Sequence, residues 1–350
     1  MAMQSSLPQE GIKEMAITSV FLVLAIVAVI ARFYARSLQG KSISLDDYLL
    51  VAGLFFTIAT VGLGYAFVLN AGVGLHMVDA TSEQMEIAMK LFMPACLTWG
   101  LATFFIKLSI LFFYISIFTF PRLRTAVFIV ITLDVALIIV VIFESFLLCR
   151  PLAYTWDKTI PGGVCGNSTE SYLSVAILNL ILDIALVILP MPVLWRLQMP
   201  VEKKVAVNAI LALGLLICGL TAARINSIVS LDAMDFTYTV VPDLIFGALE
   251  IELGIVVACL PILRPVGRKV LGSNYMYSAF GRAKSSDSDR FGFVSDKKKR
   301  RAHIGAVGSD SLSDNKYALG EVVSEAPPSQ AAAQAHVYSS HDLESGDRSF

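Results

Sequence analysis

One lysine stands in the middle of the oily run "TFFIKLSILFFY" at residues 103–114. It belongs to a set of seven ionisable residues inside long apolar stretches: Lys107 and Arg224 with Asp134, Glu144, Asp183, Glu250 and Glu252. Each costs at least about 2.5–3.5 kcal/mol at the centre of a bilayer, so such groups pair with one another, relay protons or face a ligand. Depth suggests the pairs. At 1.5 Å per residue Lys107 lies roughly 16 Å from the inner end of its stretch, near mid-membrane beside Asp183, while Arg224 and Glu250 share the outer half. Spacing supplies the faces. Cys96, Thr103, Lys107 and Tyr114 fall on one helical stripe, Asn179 and Asp183 are i,i+4, and Thr221 and Arg224 are i,i+3. Such stripes turn away from lipid. The expectation is a polar internal cavity, opening outward and lined by Lys107, Asp183, Arg224, Glu250, Thr103 and Asn179. The alternative is that the ion pairs fix helix register and touch no ligand. Five acids against two bases leave an excess of three, a pattern that suits proton-coupled transport. Glu250 beside Arg224 also suits acid/base work on a lipophilic substrate.

Other chemistries lack their residues. A retinal Schiff base of the microbial and animal rhodopsin type needs a lysine in the seventh stretch, and residues 243–263 contain none. Of the four histidines only His76 lies near an apolar stretch, so no metal constellation forms. No phosphate-cradling loop or nucleophile elbow appears. Basic residues gather on one set of connectors, the pattern of membrane orientation rather than of a nucleic-acid site. No cofactor, metal, catalytic residue or nucleic-acid partner is expected.

The elements that position these groups are read from hydropathy. Mean hydropathy is +0.71, and only 16% of the 350 residues are charged, against about 25% in soluble domains. Seven runs are long enough to cross roughly 30 Å of hydrocarbon as helices: about 15–31, 48–69, 91–118, 125–148, 171–194, 205–229 and 243–263. They are continuous rather than alternating, so the fold class is all-α, a seven-helix bundle, and not a barrel. The inner connectors and the segment after the last span hold eleven Lys and Arg, from Arg32 to Lys269, against four (Lys13, Lys90, Arg150, Lys158) on the other side. That bias places the N-terminus outside and the C-terminus in the cytoplasm. The domains expected are a short extracellular segment at 1–14, the membrane domain at 15–267, and a disordered cytoplasmic tail at 272–350 rich in Ser, Asp, Lys, Gln and Ala. Within the tail, "DKKKRRAH" at 296–303 is a basic cluster suited to anionic lipid or to plain solvation.

On the outer side, a Cys149–Cys165 bridge would contribute on the order of 3 kcal/mol in an oxidising compartment. Free thiols, or Cys96 paired with either, are the alternatives. Asn167 opens an Asn-Ser-Thr sequon on the same side, a candidate for glycosylation.

Seven short segments carry a resemblance: "RFYAR" at 32–36, "LDDYLL" at 45–50, "GVGLH" at 72–76, "IKLSILFFY" at 106–114, "CRPLAYTWD" at 149–157 with Cys165, "DIALVILPMPVLWRLQMP" at 183–200 and "ALEIELGIVVACLPILRP" at 248–265. In this order the chain resembles the fungal rhodopsin-like integral membrane proteins, receptor-like seven-helix proteins of filamentous fungi. The resemblance implies that Asp46 and Asp47 are the family's acidic pair at the inner start of span two. Lys107, Asp183, Pro190, Pro192, Arg224, Glu250 and Pro261 fall on its intramembrane positions. Ser116 departs from the family, which commonly has arginine there. A DRY-type motif after span three and an NPxxY in span seven are both absent.

The function expected is sensing of a small extracellular molecule in the internal cavity, under a lid held by Cys149–Cys165, with signalling through inner loops and tail. The partners expected are membrane lipids, a small-molecule ligand and a cytoplasmic signalling protein. A membrane enzyme or proton-coupled transporter tied to fungal secondary metabolism is the first alternative, and a membrane scaffold the second. The chain closes on "GDRSF", without an endoplasmic-reticulum retrieval signal, so the plasma membrane is the expected location.

Overall fold

Long uninterrupted apolar runs satisfy their backbone polar groups within each segment by coiling, and the computed structural model is a bundle of seven such helices. Residues 8–270 are described, apart from 77, 79, 80, 118, 119, 158, 193–200, 233 and 234; for 201–207, 209 and 264–270 only the backbone is described. The described residues belong to one compact unit, 1–288, and a second unit, 289–350, lies wholly outside them. The tail expected at 272–350 and its basic cluster likewise lie outside the described residues.

The helices are α1 (Gln9–Leu38), α2 (Leu45–Asn70), α3 (Ser82–Ile117), α4 (Pro121–Leu147), α5 (Ser168–Ile188), α6 (Val201–Val229) and α7 (Val241–Val270). A single turn, Phe236–Thr239, leads into α7. Their starts are written in the sequence. Ser44 and Asp47 form a reciprocal capping box at α2, Pro121 occupies the first turn of α4, and Asn167 caps α5 by accepting from the Glu170 amide; each satisfies or avoids an orphan amide. Two helix starts lie furthest from expectation. α1 begins at Gln9 rather than about 15, and α3 begins at Ser82 rather than about 91. Hydropathy marks only the lipid-buried part of a helix, whereas Glu, Gln, Met, Ala and Lys in the preceding turns are strong helix formers. At 36 residues α3 is about 54 Å long, so it overruns the hydrocarbon or crosses it tilted.

Each helix packs on its sequence neighbours, α1 closes the ring against α7, and α3 sits centrally, touching α2, α4 and α7. Small residues set the close crossings, as is usual where helices associate in lipid. A Cβ added at Gly53 would come 2.8 Å from the Ile106 side chain, and one at Gly100 2.8 Å from Val141. Large apolar side chains such as Val20, Phe55, Phe128 and Phe143 remain exposed around the perimeter as a lipid-facing girdle.

Between α4 and α5 two short strands, β1 (Cys149–Arg150) and β2 (Val164–Cys165), pair antiparallel and place Cys149 opposite Cys165. The two are joined by a disulfide. Cys96, Cys218 and Cys259 are free thiols. This hairpin marks what we term the disulfide end of the bundle, shared with the α2–α3 and α6–α7 connectors. The α1–α2, α3–α4 and α5–α6 connectors lie at the opposite end.

Candidate functional site

The candidate site is built from α3, α5, α6 and α7. Lys107 Nζ lies 2.9 Å from Asp183 Oδ1, so the pair inferred from depth is present as an ion pair. The ammonium also donates to Asn179 twice, to Oδ1 at 2.6 Å and to the main-chain carbonyl at 3.2 Å. A lysine has three N–H donors, and these three partners use them all. Asn179 is the joint of the layer, since its Nδ2 donates to Glu250 Oε1 at 2.7 Å and to Asp183 Oδ2 at 3.4 Å. Thr221 reaches the same Asp183 oxygen from α6 at 3.1 Å. Lys107, Asn179, Asp183, Thr221 and Glu250 are all buried, so the network lies in a low-dielectric setting where satisfied bonds are strong and orphaned groups costly.

Arg224 forms a second cluster nearer the disulfide end. Its Nε donates to Asp243 Oδ1 at 3.0 Å, and Nη1 stands 3.8 Å from Glu250 Oε2. The guanidinium centre lies 3.7 Å from the Trp99 ring centroid, a cation–π contact. The expected Arg224–Glu250 pair is therefore the looser of two, and Asp243, which the sequence reading left out, is the hydrogen-bonded partner. The available signal was its spacing: seven residues before Glu250, it falls on the same face two turns earlier. Thr103 spends its hydroxyl proton on its own helix, donating to the Gly100 carbonyl at 2.9 Å. Asp134, buried on α4, lines a void of about 10 Å³ with Trp99, Thr103 and Asn179.

Four of the six residues expected to line a cavity share one void, which differs in character from the polar cavity the sequence suggested. A void of about 270 Å³ runs between α3, α5, α6 and α7, with Thr103, Lys107, Asp183 and Glu250 among its walls. From that charged layer it extends along residues 103–117, 183–190, 210–217 and 250–261, toward the end opposite the disulfide. Most of its walls are apolar, among them Ile106, Ile110, Leu186, Leu211 and Val257. Where a polar cavity beneath a disulfide-held lid was expected, the larger void is a greasy slot that runs from the charge layer away from the disulfide. The layer closes on itself, since Lys107, Asn179 and Asp183 satisfy one another. Arg224 does not share the slot. It borders a smaller void of about 40 Å³ at the disulfide end with Cys96, Glu144, Tyr172 and Asp243. Asn179 faces neither of these two larger voids.

Two further buried groups escaped the sequence reading. Arg32 and Arg36 were counted as solvent-facing cations, yet they are 1% and 9% exposed. Arg32 Nε donates to Asp47 Oδ1 at 2.8 Å, Nη1 to the Ala258 carbonyl at 2.6 Å, and Nη2 to Asp46. Arg36 Nη2 donates to Asp46 Oδ2 at 2.6 Å, and Ser109 donates to the Asp46 carbonyl at 2.6 Å. This quartet joins α1, α2, α3 and α7 near the end opposite the disulfide. With two arginines neutralised, nine cations remain against four in the orientation count. The second group is Glu14 on α1, 2% exposed beside Gly64, within the segment expected to be extracellular and outside the bundle.

Seven apolar helices enclosing a buried network of ion pairs define a multi-pass membrane protein of the seven-helix class. The fungal rhodopsin domain matches residues 31–269, more than half of the chain, and the protein belongs to that family. It is 25% identical over 343 residues to a polyenoic acids biosynthesis gene cluster protein of Metarhizium anisopliae, covering 90% of each chain. It is 27% identical over 205 residues to a SAT4 family membrane protein of Emericella nidulans, covering 57% of this chain and 52% of that one. It is 28% identical over 210 residues to the receptor GIN3 of Arthrobotrys oligospora, covering 60% of this chain and 51% of that one. The match thus spans nearly all of the first relative and about half the length of the other two. No solved structure matches the chain.

Proposed function

We propose that this protein is a receptor-like membrane protein that holds a small, largely apolar molecule in the slot between α3, α5, α6 and α7. Occupancy is passed on by a shift of the helix ends toward loops and tail. The observation that carries the reading is the slot itself: a volume of about 270 Å³, close to the lower range for small-molecule sites, roofed by the Lys107–Asp183–Glu250 layer. A similar protein named as a receptor supports it. With the N-terminus outside and the C-terminus in the cytoplasm, as the remaining Lys/Arg bias argues, the slot lies in the cytoplasmic half. Its occupant is then drawn from the cell interior or the inner leaflet, rather than from outside. The plasma membrane is the location we assign. A bound molecule biases two helix arrangements only by binding them unequally.

Native mass spectrometry of protein released from the producing cells tests this reading. A retained molecule of small mass in the wild type, lost from a Leu211→Trp variant that fills the slot, is the expected result. Identical spectra for the two proteins refute it. Removing residues 272–350 is expected to abolish signalling while sparing that adduct.

One observation favours a second reading, a proton-coupled transporter or enzyme. Among the described residues, buried oxygens of Asp134, Glu144, Glu250 and Glu252 have no hydrogen-bond partner, and intramembrane carboxylates of this kind mark proton paths. Relatives named for biosynthetic clusters agree with it. A Glu250→Gln change separates the two readings, because it alters the pH response of a transporter, whereas the receptor reading requires no pH response to change, whatever the affinity.

A further inference from the structure

The hydrogen-bond inventory of the slot's roof fixes the chemistry of what fits beneath it. We infer that the occupant is a slender lipophile whose polar head donates hydrogen bonds — an amine, alcohol or primary amide — and that carboxylate-headed lipids are rejected. This rests on the slot being the ligand site.

The argument begins with Lys107, the group a carboxylate head would seek. Its three donors are already taken by Asp183 Oδ1, Asn179 Oδ1 and the Asn179 carbonyl, so it has none to offer without breaking a buried bond. Thr103 has spent its proton on the Gly100 carbonyl. The Asn179 amide donates to Glu250 and Asp183. Arg224 Nη1 is an unused donor, but Arg224 is not among the walls of the slot. What remains is acceptor capacity. Glu250 is 3% exposed and lines the slot, and its Oε2 accepts no hydrogen bond, with Arg224 Nη1 standing 3.8 Å away as a loose ion-pair partner.

Charge points the same way. Two cations, Lys107 and the Arg224 that stands 3.8 Å from Glu250, face four carboxylates: Asp183 and Glu250 at the slot, Asp134 just behind, and Asp243 on Arg224. An arriving anion adds like charge in a medium of low dielectric and meets no free donor among the roof groups, whereas a donor head supplies the hydrogen bond that Glu250 Oε2 lacks. Shape completes the description. The α3 wall runs from 103 to 117, about 21 Å at 1.5 Å per residue. A volume of about 270 Å³ over such a length admits a narrow chain and excludes a broad ring system.

The test uses the full chain in nanodiscs with three photoreactive probes sharing one diazirine-bearing dodecyl chain: an amine, an alcohol and a carboxylate. Crosslinked peptides are mapped by mass spectrometry. The amine and alcohol are expected to label residues 103–117 and 250–261, and the carboxylate to label them at least about ten-fold less. Glu250→Gln should cut amine labelling by about ten-fold and narrow the gap to the carboxylate. Equal or stronger slot labelling by the carboxylate overturns the inference while leaving the slot a ligand site. Labelling of the lipid-facing α4 surface by all three probes, with none in the slot, overturns the ligand-site reading itself.

Discussion

Replacing Lys107 with methionine removes the cation from a buried layer and keeps its length. Asp183 then loses its ion pair at 2.9 Å, and the two Asn179 oxygens lose their donor. Breaking one side of a buried ion pair costs about 3–5 kcal/mol, because the partner charge stays buried and unmatched. Asp183→Asn should cost less, about 1–3 kcal/mol. The ammonium retains two acceptors on Asn179 and the neighbouring Glu250, and the new amide oxygen can still accept from Thr221. In the double variant no orphaned charge pair remains, so the two effects should fall short of additivity by at least about 2 kcal/mol. SDS-driven unfolding in bicelles, followed by tryptophan fluorescence and circular dichroism, measures all four corners of the cycle. A Lys107→Met cost below about 1 kcal/mol, or a coupling within about 0.5 kcal/mol of zero, would refute the view that this layer is a closed electrostatic unit. A reciprocal charge swap should recover little, since an aspartate at 107 would face two oxygens of Asn179.

Arg32→Met should destabilise by about 3–5 kcal/mol by leaving the buried Asp46 and Asp47 to Arg36 alone, whereas Arg122→Gln, at an exposed site, should stay within about 0.5 kcal/mol; the same unfolding assay compares them. Gly53→Ala places a methyl 2.8 Å from Ile106 and should cost about 1–3 kcal/mol through overpacking, read as a lowered melting temperature. Cys149→Ser frees Cys165 and opens a sixteen-residue loop, with an expected loss of about 3 kcal/mol; loss of the mobility difference between reduced and non-reduced gels confirms that this bridge was the one broken. Endoglycosidase treatment of wild type and Asn167→Gln tests the sequon, with a mobility shift expected only in the wild type.

Much of the architecture was legible because membrane spans announce themselves. Hydrocarbon demands about twenty apolar residues in a row, and each of the seven helices supplies them. Lys107 and Asp183 could be paired because depth along a spanning helix is a one-dimensional coordinate that residue counting recovers. Asp243 could not, since it is the first residue of its expected span, at the threshold where depth marks out no buried charge. Arg32 and Arg36 were misjudged for a related reason. Their partners Asp46 and Asp47 lie across the turn between α1 and α2, and only the folded hairpin shows that four charges cancel out of contact with water. The slot was the least legible feature. Its walls are ordinary leucine, isoleucine and valine, identical in composition to lipid-facing positions, and where helices part is decided by packing between elements far apart in sequence.

Ala258 belongs at once to the slot wall and, through its carbonyl, to the Arg32 grip. An occupant crowding α7 there presses on a flank riveted by several charge-assisted bonds. Across from it, α6 between residues 208 and 220 makes no side-chain hydrogen bond to another helix among the described residues; Gly214 meets Val187 through apolar contact alone. One jaw of this vise is bolted and the other slides. Whatever swells the gap must move α6.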